Sequence, residues 1–91
     1  MAVWGLDIQQ VRTLSSQLSQ KAGEIESALG TLTSTLANTQ WEGPDAIAFR
    51  NDWSGSHTAA LKQVITALRD ASTKAIQNAN AQEQISSNVN G

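Results

Sequence analysis

The chain has 91 residues, a formal net charge of −2, no cysteine, no tyrosine and a single histidine. A chain of this length forms one domain at most. The sparse, slightly acidic charge argues against nucleic-acid binding, which needs clustered cations, and the cysteine and histidine counts exclude a disulfide framework and a Cys/His zinc site. No segment approaches the ~20 apolar residues that cross a bilayer, so we expect no stable membrane insertion. Residues 1–7 do not resemble a signal peptide.

The first segment predicts a helix over about residues 7–39. Two rows of mostly apolar residues recur there every seven positions: Trp4, Val11, Leu18, Ile25 and Leu32, and Ile8, Ser15, Ala22, Leu29 and Leu36. Interleaved, they step by three and four, which is typical of a helix that packs lengthwise against another helix.

A short break follows over residues 40–44, where the only proline stands next to a glycine. Pro44 is suited to the first turn of a new helix, and Asp45 then lies where the helix dipole favours an anion. A tight connection between two helices needs a residue that is free in φ, and we expect Gly43 to be that residue.

The second segment predicts a helix over about residues 44–86, with a frayed tail at 87–91. Its row again steps by three or four: Ala46, Phe49, Trp53, His57, Leu61, Val64, Leu68, Ala71 and Ala75. The pattern weakens at Ser54-Gly55-Ser56, where we expect a bend.

The two helices predict an all-α, antiparallel helix-turn-helix hairpin that fills the single domain 1–91. We expect its packing residues to be Val11, Leu18, Ile25, Leu29, Leu32, Phe49, Trp53, Leu61, Val64 and Leu68. Further apolar residues lie off these rows: Leu14, Ala28, Ile47, Ile65 and Ile76. A two-helix rod cannot bury so wide a stripe, and a second hairpin packed on the first would cover it. We therefore expect dimerisation into a four-helix bundle, either homomeric or heteromeric.

The connection Trp41-Glu42-Gly43, placed between two heptad helices, resembles the Trp-x-Gly turn of the WXG-100 (ESAT-like) family. The run from Gly43 to Trp53 is similar to the form that carries Pro, Phe and Trp in actinobacterial members. The resemblance implies a small protein of the type VII (ESX-like) secretion pathway, a secreted substrate or co-secreted partner that acts by protein–protein contact. It also implies a homodimer or a heterodimer with a sister protein, contact with the secretion machinery, no cofactor, and leaderless export of the folded chain from the bacterial cytoplasm.

One departure from the family bears on export. Members often carry Tyr-x-x-x-Asp/Glu after the second helix in one partner of the pair, whereas this chain has no tyrosine and offers only the acid, in Ala79-Asn80-Ala81-Gln82-Glu83. A partner supplies the signal, the signal differs, or the chain is not exported by itself. The alternative function is a non-exported intracellular adaptor or chaperone for a larger toxin or effector.

Two positions invite a functional interpretation beside a structural one. Trp41 either docks on the secretion machinery or covers the open end of the hairpin. His57 lies near Asp52, Ser54 and Ser56, but residues so close on one helix cannot converge on a substrate as a catalytic triad does. We therefore expect a partly buried, hydrogen-bonded His57, no catalytic residue, no metal site and no enzyme activity.

Overall fold

The computed structural model describes the backbone of residues 6–90 and the side chains of residues 6–87. Helix α1 spans Ile8–Asn38, helix α2 spans Pro44–Asp52, a π-helical turn covers Trp53–His57, and helix α3 spans Thr58–Asn90. The predicted all-α hairpin is confirmed over these residues, with α1 packed along α3. The last helix extends to Asn90, beyond the expected end at residue 86. Trp4 and Gly91, which the predictions include, lie outside the described residues.

The first helix has a defined start and end. The Asp7 side chain accepts a hydrogen bond from the Gln10 backbone N–H at 3.0 Å, as an N-cap does. At the other end the backbone N–H of Thr39 donates to Leu36 O at 3.4 Å, and its hydroxyl donates to Thr35 O at 2.5 Å. The cap at the start of α1 thus satisfies a backbone N–H, and Thr39 satisfies backbone carbonyls at its end, groups that have no hydrogen-bond partner within a helix.

The connection between α1 and α2 depends on one glycine. Gly43 precedes α2 with φ 114° and ψ 173°, a conformation that side chains with a Cβ rarely adopt. Pro44 follows at the start of the helix, and Asp45 lies in its first turn. The expected need for a residue free in φ is therefore met at Gly43.

The core of the hairpin is a thin layer between α1 and α3. Ala22, Leu29 and Ile65 form its buried centre. The sequence pattern predicts that Ile65 is covered only by a second hairpin. That prediction is wrong, because this side chain is only 4% exposed within the single chain. The molecule measures 69 × 18 × 13 Å, so its core is long and only about one side chain thick.

The π-helical turn explains why the predicted row of the second segment is displaced. A π turn holds one more residue than an α turn, so it shifts the inward face of everything after it by one position. Ile65 is therefore buried, while the predicted Val64 is 45% exposed. The turn lies where the sequence pattern weakens, at Ser54-Gly55-Ser56, but a bend alone does not displace the row.

Candidate partner-binding face

The predicted packing residues divide into three groups. Leu29 is buried, and Ile25, Trp53, Leu61 and Leu68 pack against the core from its edge. Val11 and Leu18 are half-buried along α1. Leu32, Phe49 and Val64 are exposed in the single hairpin. The residues at the core therefore stabilise the single hairpin. The side chains of Leu32, Phe49 and Val64 are not buried within this chain.

One side of the hairpin carries the ion pairs that join its two long helices. Arg69 binds Glu26 through two hydrogen bonds of 3.1 and 3.2 Å, and Arg12 pairs with Glu83. The Arg69 guanidinium lowers the pKa of the Glu26 carboxyl, by hydrogen bonding first and by its charge second. We call the side that carries these two pairs the polar face.

The opposite side is apolar. Arg12, Glu26 and Arg69 each directly follow a half-buried apolar residue, which lies about 100° away around its helix. Those apolar residues therefore border the other side of the hairpin, where further exposed side chains continue the surface. We call this surface the apolar face, and it consists of Val11, Leu14, Leu18, Ile25, Leu32, Phe49, Leu61, Val64, Leu68 and Ile85.

Aromatic side chains extend the apolar surface to the tip of the hairpin. The rings of Trp41 and Phe49 lie 5.6 Å apart with a tilt of 54°, and Phe49 stacks on Trp53 at 6.4 Å and 10°. Trp53 also donates its indole N–H to the Thr33 hydroxyl at 2.9 Å, which ties the second segment to α1. Trp41 remains 40% exposed, so the indole both packs on Phe49 and presents surface to solvent.

A groove of about 280 Å³ lies beside this aromatic stack. Phe49 and Trp53 form one wall, and Leu32 and Leu36 of α1 form the other. Aromatic and aliphatic walls of this kind accept an apolar side chain of a partner. The groove joins the apolar face to the tip, so a partner could contact both at once.

Arg50 holds the tip together, a role that the sequence pattern does not indicate. Its guanidinium donates to the backbone oxygens of Trp41 at 2.7 Å, Thr39 at 3.0 Å and Leu36 at 3.4 Å. A cation at these carbonyls also interacts favourably with the negative end of the α1 dipole. An arginine in the last turn of a short helix is a weak sequence signal, because the carbonyls it reaches belong to another element.

The remaining expected features are placed as follows. His57 is exposed rather than partly buried, because the π turn directs the inward face to Thr58 instead. Within the described part of the chain, no three His, Asp or Glu side chains meet as a metal site requires. None of the helices described here combines the length and the apolar character needed to cross a membrane.

Comparison of the chain with protein families, with curated proteins and with solved structures finds no match.

Proposed function

We propose that the chain is a small helical protein of the type VII (ESX-like) secretion pathway, a secreted substrate or co-secreted partner that acts by protein–protein contact. The observation that carries the proposal is the position of Trp41-Glu42-Gly43 at the tip of the hairpin. Gly43 has the positive φ that this connection needs, and Trp41 presents part of its ring to solvent. A Trp-x-Gly turn between two long antiparallel helices is the arrangement that the family resemblance implies.

The apolar face supports the second half of the proposal, a dimer that forms a four-helix bundle. Exposed apolar residues recur along both long helices on the side away from the ion pairs, and Leu14, Leu32 and Val64 are each about half exposed. A set of exposed apolar side chains along one side of a hairpin is typical of a protein–protein interface. The partner is a second copy of the chain or a sister protein.

A second candidate function is that of a non-exported adaptor or chaperone for a larger toxin or effector. The observation that favours it is the lack of tyrosine in the 91 residues, which leaves the Tyr-x-x-x-Asp/Glu pattern without its aromatic. The same apolar face would then bind a helix of the larger protein.

Export from a bacterium with a type VII system tests the proposal. The tagged chain should appear in the culture supernatant, and should be missing there when the secretion ATPase is deleted, with a cytosolic enzyme as the lysis marker. Trp41→Ala should lower export, whereas Gln40→Ala, which shortens an exposed side chain of the same connection, should leave it unchanged. A chain that stays inside the cell and co-purifies with a larger protein would support the second candidate instead.

A further inference from the structure

The π turn adds one residue to the inward-facing row of the second segment. Trp53 reaches α1 through its bond to Thr33, and Thr58 is the next half-buried residue, five positions later. An uninterrupted α-helix would turn the residue four positions after Trp53, His57, towards α1. The turn therefore sets which of two heptad rows α3 buries.

Both heptad rows can be read from the sequence of α3 and the end of the π turn. The row that faces α1 is Thr58, Ile65, Ser72, Ala79 and Ser86, all buried or half-buried. The row one position earlier is His57, Val64, Ala71, Asn78 and Ile85, all exposed. Each row carries one β-branched aliphatic residue at the same level, Ile65 in the first and Val64 in the second, so either row can supply a core side chain there.

A third row borders both of these and stays at the interface whichever is buried. It contains Leu61, Leu68 and Ala75, each half-buried in the structure. Rotating α3 by one register would keep these side chains at the edge of the core and exchange Ile65 for Val64. In the present register each hydroxyl of Ser15 and Ser72 donates to the other residue's backbone oxygen at 2.8 Å. In the rotated register Ser15 would lie opposite Ala71 instead.

The π turn itself is well supplied with hydrogen bonds and contains weak helix formers. The hydroxyls of Ser54 and Ser56 donate to Asn51 O at 3.3 Å and to Asp52 O at 3.4 Å, and Thr58 donates to Trp53 O. Such bonds satisfy carbonyls that a widened turn displaces. Gly55, in the middle, has open space where a Cβ would stand.

We propose that α3 has two packing registers and that the π turn stores the one residue by which they differ. With the turn present, Val64 and Ile85 lie outward on the apolar face. With the turn absorbed into a regular α-helix, they turn inward and Ile65 is released. Two packings of one sequence that lie close in free energy form such a switch. The inference rests on the proposed function in one respect, because the apolar face is the surface that the switch would offer to a partner or withdraw from it.

Paired cysteines report the register directly, since the chain has no cysteine of its own. Ser15→Cys with Ser72→Cys reports the present register, and Ser15→Cys with Ala71→Cys reports the alternative one. Each pair is oxidised in a thiol–disulfide exchange buffer, and the intramolecular product is quantified on the purified chain. The first pair should close in most chains and the second in roughly 0.1–10%, the usual population of a minor state.

Deletion of Gly55 is the decisive variant, because it removes the stored residue and leaves a continuous α-helix in the present register. The first disulfide should persist, and the yield of the second should fall about tenfold relative to the full-length chain. Gly55→Ala keeps the length and should leave the ratio of the two yields within about twofold of the parent. An unchanged second yield after deletion, a shift of the main disulfide to residue 71, or loss of helical circular dichroism would each overturn the inference. Export plays no part in this test, so its result is independent of the secretion assay.

Discussion

The guanidinium of Arg50 donates a hydrogen bond of 2.7 Å to the backbone oxygen of Trp41, nine residues earlier in the chain. The same side chain also reaches Thr39 O and Leu36 O. One residue of α2 therefore binds the end of α1 and the connection that follows it. Hydrogen bonds from the guanidinium to backbone oxygens hold the tip, while its aromatic rings stay partly exposed.

Replacing Arg50 should loosen the tip more than it changes the rest of the hairpin. Arg50→Met removes all three hydrogen bonds and should lower the free energy of unfolding by about 1–2 kcal/mol, since hydrogen bonds to charged groups are worth more than neutral ones. Arg50→Lys keeps the charge but lacks the planar fork, so it should lose a smaller amount. Urea unfolding followed by circular dichroism measures both. Equal stability of the parent and Arg50→Met would show that these bonds contribute nothing.

Two glycine-to-alanine substitutions should change stability in opposite directions. Gly43→Ala forces a Cβ onto a backbone with φ 114° and should cost about 1–3 kcal/mol. Gly30→Ala lies inside α1, where nothing is within 4 Å of the new Cβ, and should stabilise the chain by about 0.5–1 kcal/mol. Thermal unfolding of the pair is the measurement. A gain in stability for Gly43→Ala would contradict the strain argument.

The Glu26–Arg69 pair predicts a pH dependence of stability. Arg69 lowers the pKa of Glu26 below its ordinary value of 4.5, so the unfolded chain binds a proton there more readily than the folded one. The contribution of the pair is therefore complete above the ordinary pKa and is lost as the pH falls through the lowered, folded-state pKa.

Glu26→Gln is the variant that isolates this contribution. The stability difference between parent and variant should be constant from about pH 7 to about pH 5 and shrink towards about pH 3. Both side chains of the pair are about half exposed, so the difference should also shrink in high salt. A difference that grows on acidification would show that the sign is wrong.

A charge on the apolar face should separate a dimer into its hairpins. If the chain pairs with itself, light scattering gives twice the monomer mass of 9.7 kDa, and Val64→Lys should return it to the monomer mass because a buried unpaired charge is costly. Thr66→Lys introduces the same charge at an exposed position of the same helix, rotated about 160° from Val64, and should leave the mass unchanged. A monomeric parent would indicate that the apolar face binds a sister protein rather than itself.

The heptad pattern was sufficient to predict both long helices and the connection between them, because periodicity and turn chemistry are local signals. It could not predict that Ile65, not Val64, enters the core. Which side of a helix faces inward after a π turn depends on one extra residue. The sequence Ser54-Gly55-Ser56 is compatible with an α turn as well as with a π turn, so it does not indicate which side that is. The role of Arg50 was equally hidden, since its acceptors are backbone carbonyls whose position depends on the tertiary fold.

The long, thin core determines how the hairpin unfolds. In a core one side chain thick, each pair of inward-facing residues contacts only the neighbouring pairs along the helix axes. Stability then grows with the length of the seam, and opening should travel from the end where Ile8 and Ala79 lie towards the tip. Amide hydrogen exchange should accordingly be fastest at that open end and slowest near Leu29 and Ile65.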